Sequence, residues 1–192
     1  GGEHTCALTT GGAVYCWGAN ASGQLGDGTT TSRAAPVPVV GGGAVELTAG
    51  DAHTCARVPS NGAVFCWGSN SNQEIGQPSG VLGEAITPVS PDFPFNAPDA
   101  WLDVSAGTGV ACAVSTDGEV YCWGGTNAFG ERGTGNLLPA GYEPTKVALV
   151  GAASQVEVGT NTACALMSSG AVQCWGSGSY GALGDGTTDF TP

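Results

Sequence analysis

Basic residues are scarce in this chain: four Lys and Arg stand against sixteen Asp and Glu, a formal net charge of −12 over 192 residues. The acids run from Glu3 to Asp189 and form no tail, so they read as a solvated surface. Such a surface repels nucleic-acid phosphates and anionic headgroups, and neither nucleic acid nor a lipid surface is an expected partner. Long apolar runs are missing as well. No stretch approaches the roughly 20 residues of a membrane-crossing helix, and membrane insertion is not expected. Catalytic signatures are equally thin. There is one lysine, Lys146, and there are two histidines, His4 and His53, with no G-x-S-x-G and no phosphate-binding Gly-rich loop. Paired carboxylates stay open, because sixteen acids allow many pairs. The first residue is Gly1 and no signal peptide is visible, so a processed chain or an excerpt is expected.

Glycine and cysteine are what the chain has in quantity, with 34 and 8. That much glycine means tight turns rather than long helices. The cysteines reveal a repeat. Windows 6–18, 55–68, 112–124 and 164–176 each read Cys-Ala-x, a turn with Gly, an apolar residue, x, then Cys-Trp-Gly. The first cysteines are 49, 57 and 52 residues apart, and Gly1, Gly50, Gly107 and Gly159 each precede one by five.

Each window has the spacing of a β-hairpin. With Cys6 opposite Cys16, Ala7 meets Tyr15 and Leu8 meets Val14, and Thr10-Gly11-Gly12 is left as the loop. The third loop residue is Gly there, at Gly118 and at Gly170, as a left-handed third position requires. The second copy has one more residue between its cysteines, and its turn contains Pro59-Ser60-Asn61-Gly62. Absorbing that residue in the turn keeps Cys55 opposite Cys66, whereas placing it in a strand would flip one of them away. Opposed cysteines at a non-hydrogen-bonded site lie within disulfide range. The expected pairs are Cys6–Cys16, Cys55–Cys66, Cys112–Cys122 and Cys164–Cys174. Cystines imply an oxidising compartment, and an extracellular or cell-surface location is expected. Zinc or haem is the competing reading, but no C-x-x-C occurs, and His4 and His53 become Val110 and Thr162 in the later copies. Neither a metal nor a cofactor is expected.

Alternation places Cys6, Leu8, Val14 and Cys16 on one face and Tyr15 and Trp17 on the other. Apolar bulk on both faces predicts sheets buried on both sides. A strand precedes every hairpin but the first (Val45-Glu46-Leu47-Thr48, Trp101-Leu102-Asp103-Val104, Val156-Glu157-Val158). Pro-containing extended segments follow at Pro36-Val37-Pro38-Val39, Thr87-Pro88-Val89 and Pro144-Thr145-Lys146-Val147. The expectation is all-β: four four-stranded blades of a β-propeller, or part of a larger one of about seven blades. The repeats run approximately over 1–40, 41–96, 97–150 and 151–192 of a single repeat domain. The first begins after the place of its leading strand and the fourth stops before its last. Two readings follow, a piece of a longer propeller or a four-repeat chain whose open edges pair head to tail.

With A-N-A-S-G-Q-L-G-D-G-T-T after Cys16-Trp17-Gly18, the pattern resembles the regulator of chromosome condensation repeat. That repeat's core looks like G-x-x-H-T-x-A-L-x-x-x-G-x-V-Y-x-W-G-x-N-x-x-G-Q-L-G-x-G. Gly2-Glu3-His4-Thr5-Cys6-Ala7-Leu8 and Val14-Tyr15-Cys16-Trp17-Gly18-Ala19-Asn20 match it closely. Departures fall at Asn72-Gln73-Glu74-Ile75-Gly76, Phe129-Gly130-Glu131-Arg132-Gly133 and Tyr180-Gly181-Ala182-Leu183-Gly184. The resemblance covers essentially the whole chain and implies a β-propeller, typically of seven blades. The added cysteine pair is similar to that of secreted bacterial members. Nucleotide exchange on a nuclear GTPase, the namesake role, fits neither the acidity nor the cysteines.

Most conspicuous residues have structural readings. Asp27 and Asp185 sit in Asp-Gly turns, where calcium is the alternative. Trp17, Trp67, Trp123 and Trp175 recur in every copy and read as core rather than a sugar ladder, while Leu25, Ile75 and Leu183 read as plugs between blades. Asn20-Ala21-Ser22 is a glycosylation sequon. Arg57 takes the place of Leu8, Val114 and Leu166 without an evident function. The insertion at 77–100, with five prolines, has no repeat counterpart. Its Phe93 and Phe95, with Trp101 beyond it, are the candidate binding residues. The expected function is an extracellular, non-catalytic scaffold binding a protein partner. Self-assembly through strand edges is the alternative, and a hydrolase or lyase with carboxylates around the axis comes third.

Overall fold

Each cysteine window folds as the antiparallel hairpin its spacing predicts. The computed structural model describes residues 1–192 apart from 40, 60, 61, 79–82, 95–99 and 138–141. In the first copy, β1 (His4–Leu8) pairs with β2 (Val14–Gly18) with Cys6 opposite Cys16, Ala7 opposite Tyr15 and Leu8 opposite Val14. The turn closes by Gly12 N donating to Thr9 O at 3.0 Å and Thr9 N donating to Ala13 O at 2.9 Å. Gly12, Gly118 and Gly170 take φ of 81°, 79° and 87°, the left-handed region that favours glycine there. In the second copy Val58 faces Ala63, so the additional residue lies in the loop, whose Ser60 and Asn61 are outside the described residues. All four expected cystines form, and among the described residues no cysteine is free.

Around each hairpin grows one antiparallel sheet, here called a blade. The first contains β1, β2 and β3 (Arg33–Pro38). The second is β4 (Glu46–Ala49), β5 (His53–Val58), β6 (Ala63–Ser69) and β7 (Glu84–Val89). The third is β8 (Trp101–Ala106), β9 (Val110–Ser115), β10 (Val120–Gly124) and β11 (Thr145–Lys146). The fourth is β12 (Ala153–Val158), β13 (Thr162–Met167) and β14 (Val172–Gly176). Among the described residues the outer two blades have three strands each, the first without its leading strand and the fourth without its last, as the alignment of the repeats predicts. Where β7 and β11 close the middle blades, a bridge from Thr191 to Gly176 stands on the outer side of β14.

Neighbouring blades stack through their two apolar faces. The tryptophan face of one blade meets the cystine face of the blade before it, and the contact repeats three times. Trp67, Trp123 and Trp175 donate Nε1–H to the carbonyl oxygens of Gln24, Glu74 and Glu131 at 3.0, 3.0 and 3.1 Å. Leu25 and Ile75, the residues next to two of those carbonyls, are fully buried as plugs. The middle blades are thus covered on both sides, and β9 and β10 are buried along their whole length. The outer blades are not. Tyr15 on the first is 38% exposed, and Leu166 and Val172 on the fourth are 37% and 63% exposed.

Candidate functional site

The glycines that precede each first cysteine by five come together where the inner ends of the blades converge. They line a shallow, open hollow of about 310 Å³ at the propeller axis, which Asp51, Thr108 and Thr160 also line. Glycine is needed for close approach: a Cβ on Gly50 would run into the carbonyl oxygen of Gly107, and one on Gly107 into that of Gly159. At these glycines backbone packs directly on backbone.

Polar side chains of β4, β8 and β12 lie along the same axis as rungs from blade to blade. Thr48 Oγ1 accepts from Ala106 N at 3.0 Å, and Ser105 Oγ accepts from Val158 N at 3.0 Å. Asp103 Oδ2 accepts from Val156 N at 2.6 Å, and Ser105 Oγ donates to Glu157 Oε2 at 3.2 Å. Glu46, in the register place of Asp103, instead receives Arg57 Nε at 2.8 Å and shares a hydrogen bond with Asp103. Burial, reinforced by Asp103 and opposed by Arg57, pushes the Glu46 carboxyl up to about 7. Arg57 Nη1 also reaches Trp101 O at 3.4 Å, so the departure of Arg57 from the apolar pattern has a structural use: it ties the second blade to the third. Glu46, Asp103 and Glu157 are each engaged between strands, while Asp51 lines the hollow itself.

Trp101, 4% exposed, stacks on Phe93 with ring centroids 4.3 Å apart, and Phe93 meets Trp123 edge-on at 5.6 Å. Both rings lie in the seam between the second and third blades rather than on an open loop. Trp101 opens β8 and so belongs to the repeat, in the place of Ala44 and Ala153. Phe95 lies outside the described residues. Asp27 receives Arg33 Nε and Thr29 N, both at 2.9 Å, and Thr29 Oγ1 at 2.7 Å. Burial pulls its carboxyl up, but the bonds from Thr29 and Arg33 outweigh this and hold it below the ordinary range. Asn20 is fully buried: its Nδ2 donates to Thr29 O and Thr31 O at 2.9 and 3.1 Å, and Leu25 N donates to its Oδ1 at 2.9 Å. The sequon asparagine is the hub of its loop.

His4 Nε2 meets Thr54 Oγ1 at 2.8 Å, and Thr54 in turn donates to Gln24 O. His53 lies in the equivalent place, but Ala111 stands where Thr54 would, and neither ring nitrogen has a partner among the described residues. Burial holds both histidines down, to about 4 and about 3. Sequence reasoning passed over the axial rungs. The signal was there: Glu46, Asp103 and Gln155 share one register position, and Thr48, Ser105 and Glu157 share another.

The Regulator of chromosome condensation (RCC1) repeat profile matches residues 11–57, and a second RCC1 repeat profile matches 44–74, 101–131 and 153–182, together more than half the chain. The chain belongs to the RCC1 repeat family. Among its relatives, mouse E3 ubiquitin-protein ligase HERC2 is 31% identical over 98% of this chain and 4% of its own length. Ultraviolet-B receptor UVR8 of Arabidopsis thaliana is 30% identical over 97% of this chain and 42% of its own. Human WBSCR16 superposes with a TM-score of 0.85 at 21% identity, covering 98% of this chain and 49% of the other. Yeast RCC1 (Prp20), solved bound to Kap60, gives 0.78 at 22% identity over 98% and 45%. This RCC1-repeat chain thus spans less than half the length of each, and its four sheets are a partial propeller.

Proposed function

We propose that this RCC1-repeat chain is part of a secreted, non-catalytic β-propeller of the bacterial type that binds a protein partner outside the cell. One observation carries the reading. The inner-strand carboxylates are taken up in holding the sheets together, Glu46 with Arg57 of its own blade and Asp103 and Glu157 with the neighbouring blade, so a place where a propeller enzyme would keep reacting groups serves the architecture instead. Variable loops are then left to recognise a partner. Yeast RCC1 bound to Kap60, and Prp20p with its binding to Gsp1p and histones, support a protein-binding use of this fold. A cystine in each blade supports the extracellular setting. The test is surface plasmon resonance of the cystine-intact protein against an array of purified secreted and cell-surface proteins. Saturable binding that is lost on reduction and unfolding is expected. Hydrolysis of glycoside or ester substrates that disappears in Asp103→Asn would overturn the reading.

Self-assembly is the second reading, favoured by the exposed Leu166 and Val172 on one open face and Tyr15 on the other. It requires polymers that grow with concentration. Light scattering constant across a hundredfold dilution removes it.

A further inference from the structure

The three seams between blades are built on one plan, and the first lacks both of the side chains that fill the second. Val39, Pro91 and Val147 occupy the same place, each against the glycine of the preceding loop: Gly26, Gly76 and Gly133. Val39 N and Val147 N also donate to equivalent carbonyls, those of Val14 and Val120. Two residues further on stand Gly41, Phe93 and Leu149. The N–H of Phe93 turns back to Pro91 O and that of Leu149 to Val147 O, both at 3.0 Å, so these two side chains enter their seams alike. In the second seam Phe93 and Trp101 fill the space; in the third Leu149 packs against the core and Ala153 stands in the place of Trp101, which leaves a smaller hollow of about 200 Å³. The first seam has Gly41 where Phe93 stands and Ala44 where Trp101 stands.

A cavity of about 320 Å³ results between the first and second blades. Its floor is the buried Val14, Val39, Ala44 and Trp67, and Gly41, Phe65 and Pro88 stand at its mouth. That volume is at the lower end for ligand pockets and accommodates one or two aromatic rings. Trp67 and Phe65 offer here the surfaces that Trp123 offers to Phe93 and Tyr121 to Trp101, both edge-on at 5.6 Å.

We infer that this cavity is a receptor for one aromatic side chain, Phe or Trp, presented by a partner polypeptide. The chain's own second seam supplies the precedent: there the occupant is a Phe side chain from a Pro-flanked segment, Pro91-Asp92-Phe93-Pro94. Aromatic anchors in desolvated pockets carry much of the affinity of protein interfaces. The inference deepens the protein-binding reading and rests on it.

The test titrates the cystine-intact chain with N-acetylphenylalaninamide and N-acetyltryptophanamide, followed by saturation-transfer NMR and equilibrium dialysis. One saturable equivalent is expected, with N-acetylglutaminamide not bound. Ala44→Trp, which copies the second seam, should weaken binding at least tenfold, and the smaller filler Ala44→Leu covers the case in which the indole prevents folding. Phe93→Ala, which empties the second seam, should add a second equivalent. Absence of binding to the folded chain overturns the inference, as does binding unchanged in the filled variants. Free indole binding where neither capped residue does also overturns it, since that describes a small-molecule cavity. A partner found on the array that is indifferent to Ala44→Leu removes this site and leaves the protein-binding reading in place. Capped phenylalanine bound with no partner on the array does the reverse.

Discussion

Trp123 donates its indole N–H to the carbonyl oxygen of Glu74 across 3.0 Å, joining residues 49 apart in the chain and one blade apart in space. The bond is buried, so the carbonyl has no water to fall back on. Trp123→Phe keeps most of the apolar contact and orphans the acceptor, at an expected cost of about 1–3 kcal/mol. Trp123→Ala adds a cavity and should cost about 3–5 kcal/mol. Trp17, half-buried on the open face of the first blade, should tolerate Phe with little change. Urea midpoints of the three variants check the order, and a Trp17→Phe loss equal to that of Trp123→Phe would contradict it.

The axial glycines invite a second comparison. Gly107→Ala drives a methyl into the carbonyl of Gly159, so the third and fourth blades must separate locally. A loss of about 2 kcal/mol or more is expected, in line with overpacking elsewhere. Gly11→Ala meets nothing within 4 Å and lies outside the positive-φ set, so it should be neutral or add about 0.4–1 kcal/mol. Thermal midpoints of the two variants decide this.

Reduction should proceed blade by blade. Cys55, Cys66, Cys112 and Cys122 are fully buried, while Cys164 and Cys174 are part-exposed on the uncovered face of the fourth blade. Exchange requires access to sulfur, so low dithiothreitol should open Cys164–Cys174 well before either middle pair. Replacing both members of a middle pair by Ala should cost about 2–3 kcal/mol, whereas a fully exposed hairpin cystine would be missed less. Timed alkylation with peptide mass analysis reads the order, and simultaneous loss of all four pairs would count against separate stapling.

Stability against pH depends on two buried histidines and one half-buried carboxyl. In the folded chain burial holds His4 at about 4 and His53 at about 3, against 6.5 when unfolded. Between those values the unfolded chain binds more protons, so their contribution is whole above pH 6.5 and is lost as pH falls toward 4 and 3. Glu46 runs the other way. Burial and Asp103 raise it from 4.5 to about 7, so its contribution is whole below 4.5 and is lost as pH rises through 7. From pH 4.5 to 6.5 two histidines oppose one carboxyl, and the thermal midpoint should climb. Glu46→Gln should steepen that climb, and a flat or falling midpoint in the variant would refute these assignments.

How far the sequence could be read depended on distance along the chain. Hairpin register follows from the 10- and 11-residue cysteine spacings and from Gly12, Gly118 and Gly170, all local, and it holds in every copy. Trp67 and Trp175 were legible as core because they recur. The repeat place of Trp101 is harder to see, because the insertion before it breaks the visible period; counting back six from Gly107, as from Gly50 to Ala44, restores it. Glu46 and Asp103 meet only because two inner strands 57 residues apart become neighbours, and no alternation within one strand reports that. The empty first seam was hidden for a related reason, since Gly41 and Ala44 acquire meaning only beside Phe93 and Trp101.

Everything in this description depends on each blade being clamped by its own cystine. Proteolysis under non-reducing, acidic conditions followed by mass spectrometry of the linked peptides tests that directly. Four pairs, 6 with 16, 55 with 66, 112 with 122 and 164 with 174, are the expected outcome. A single peptide joining cysteines of different blades, or free thiols throughout natively purified protein, would contradict it.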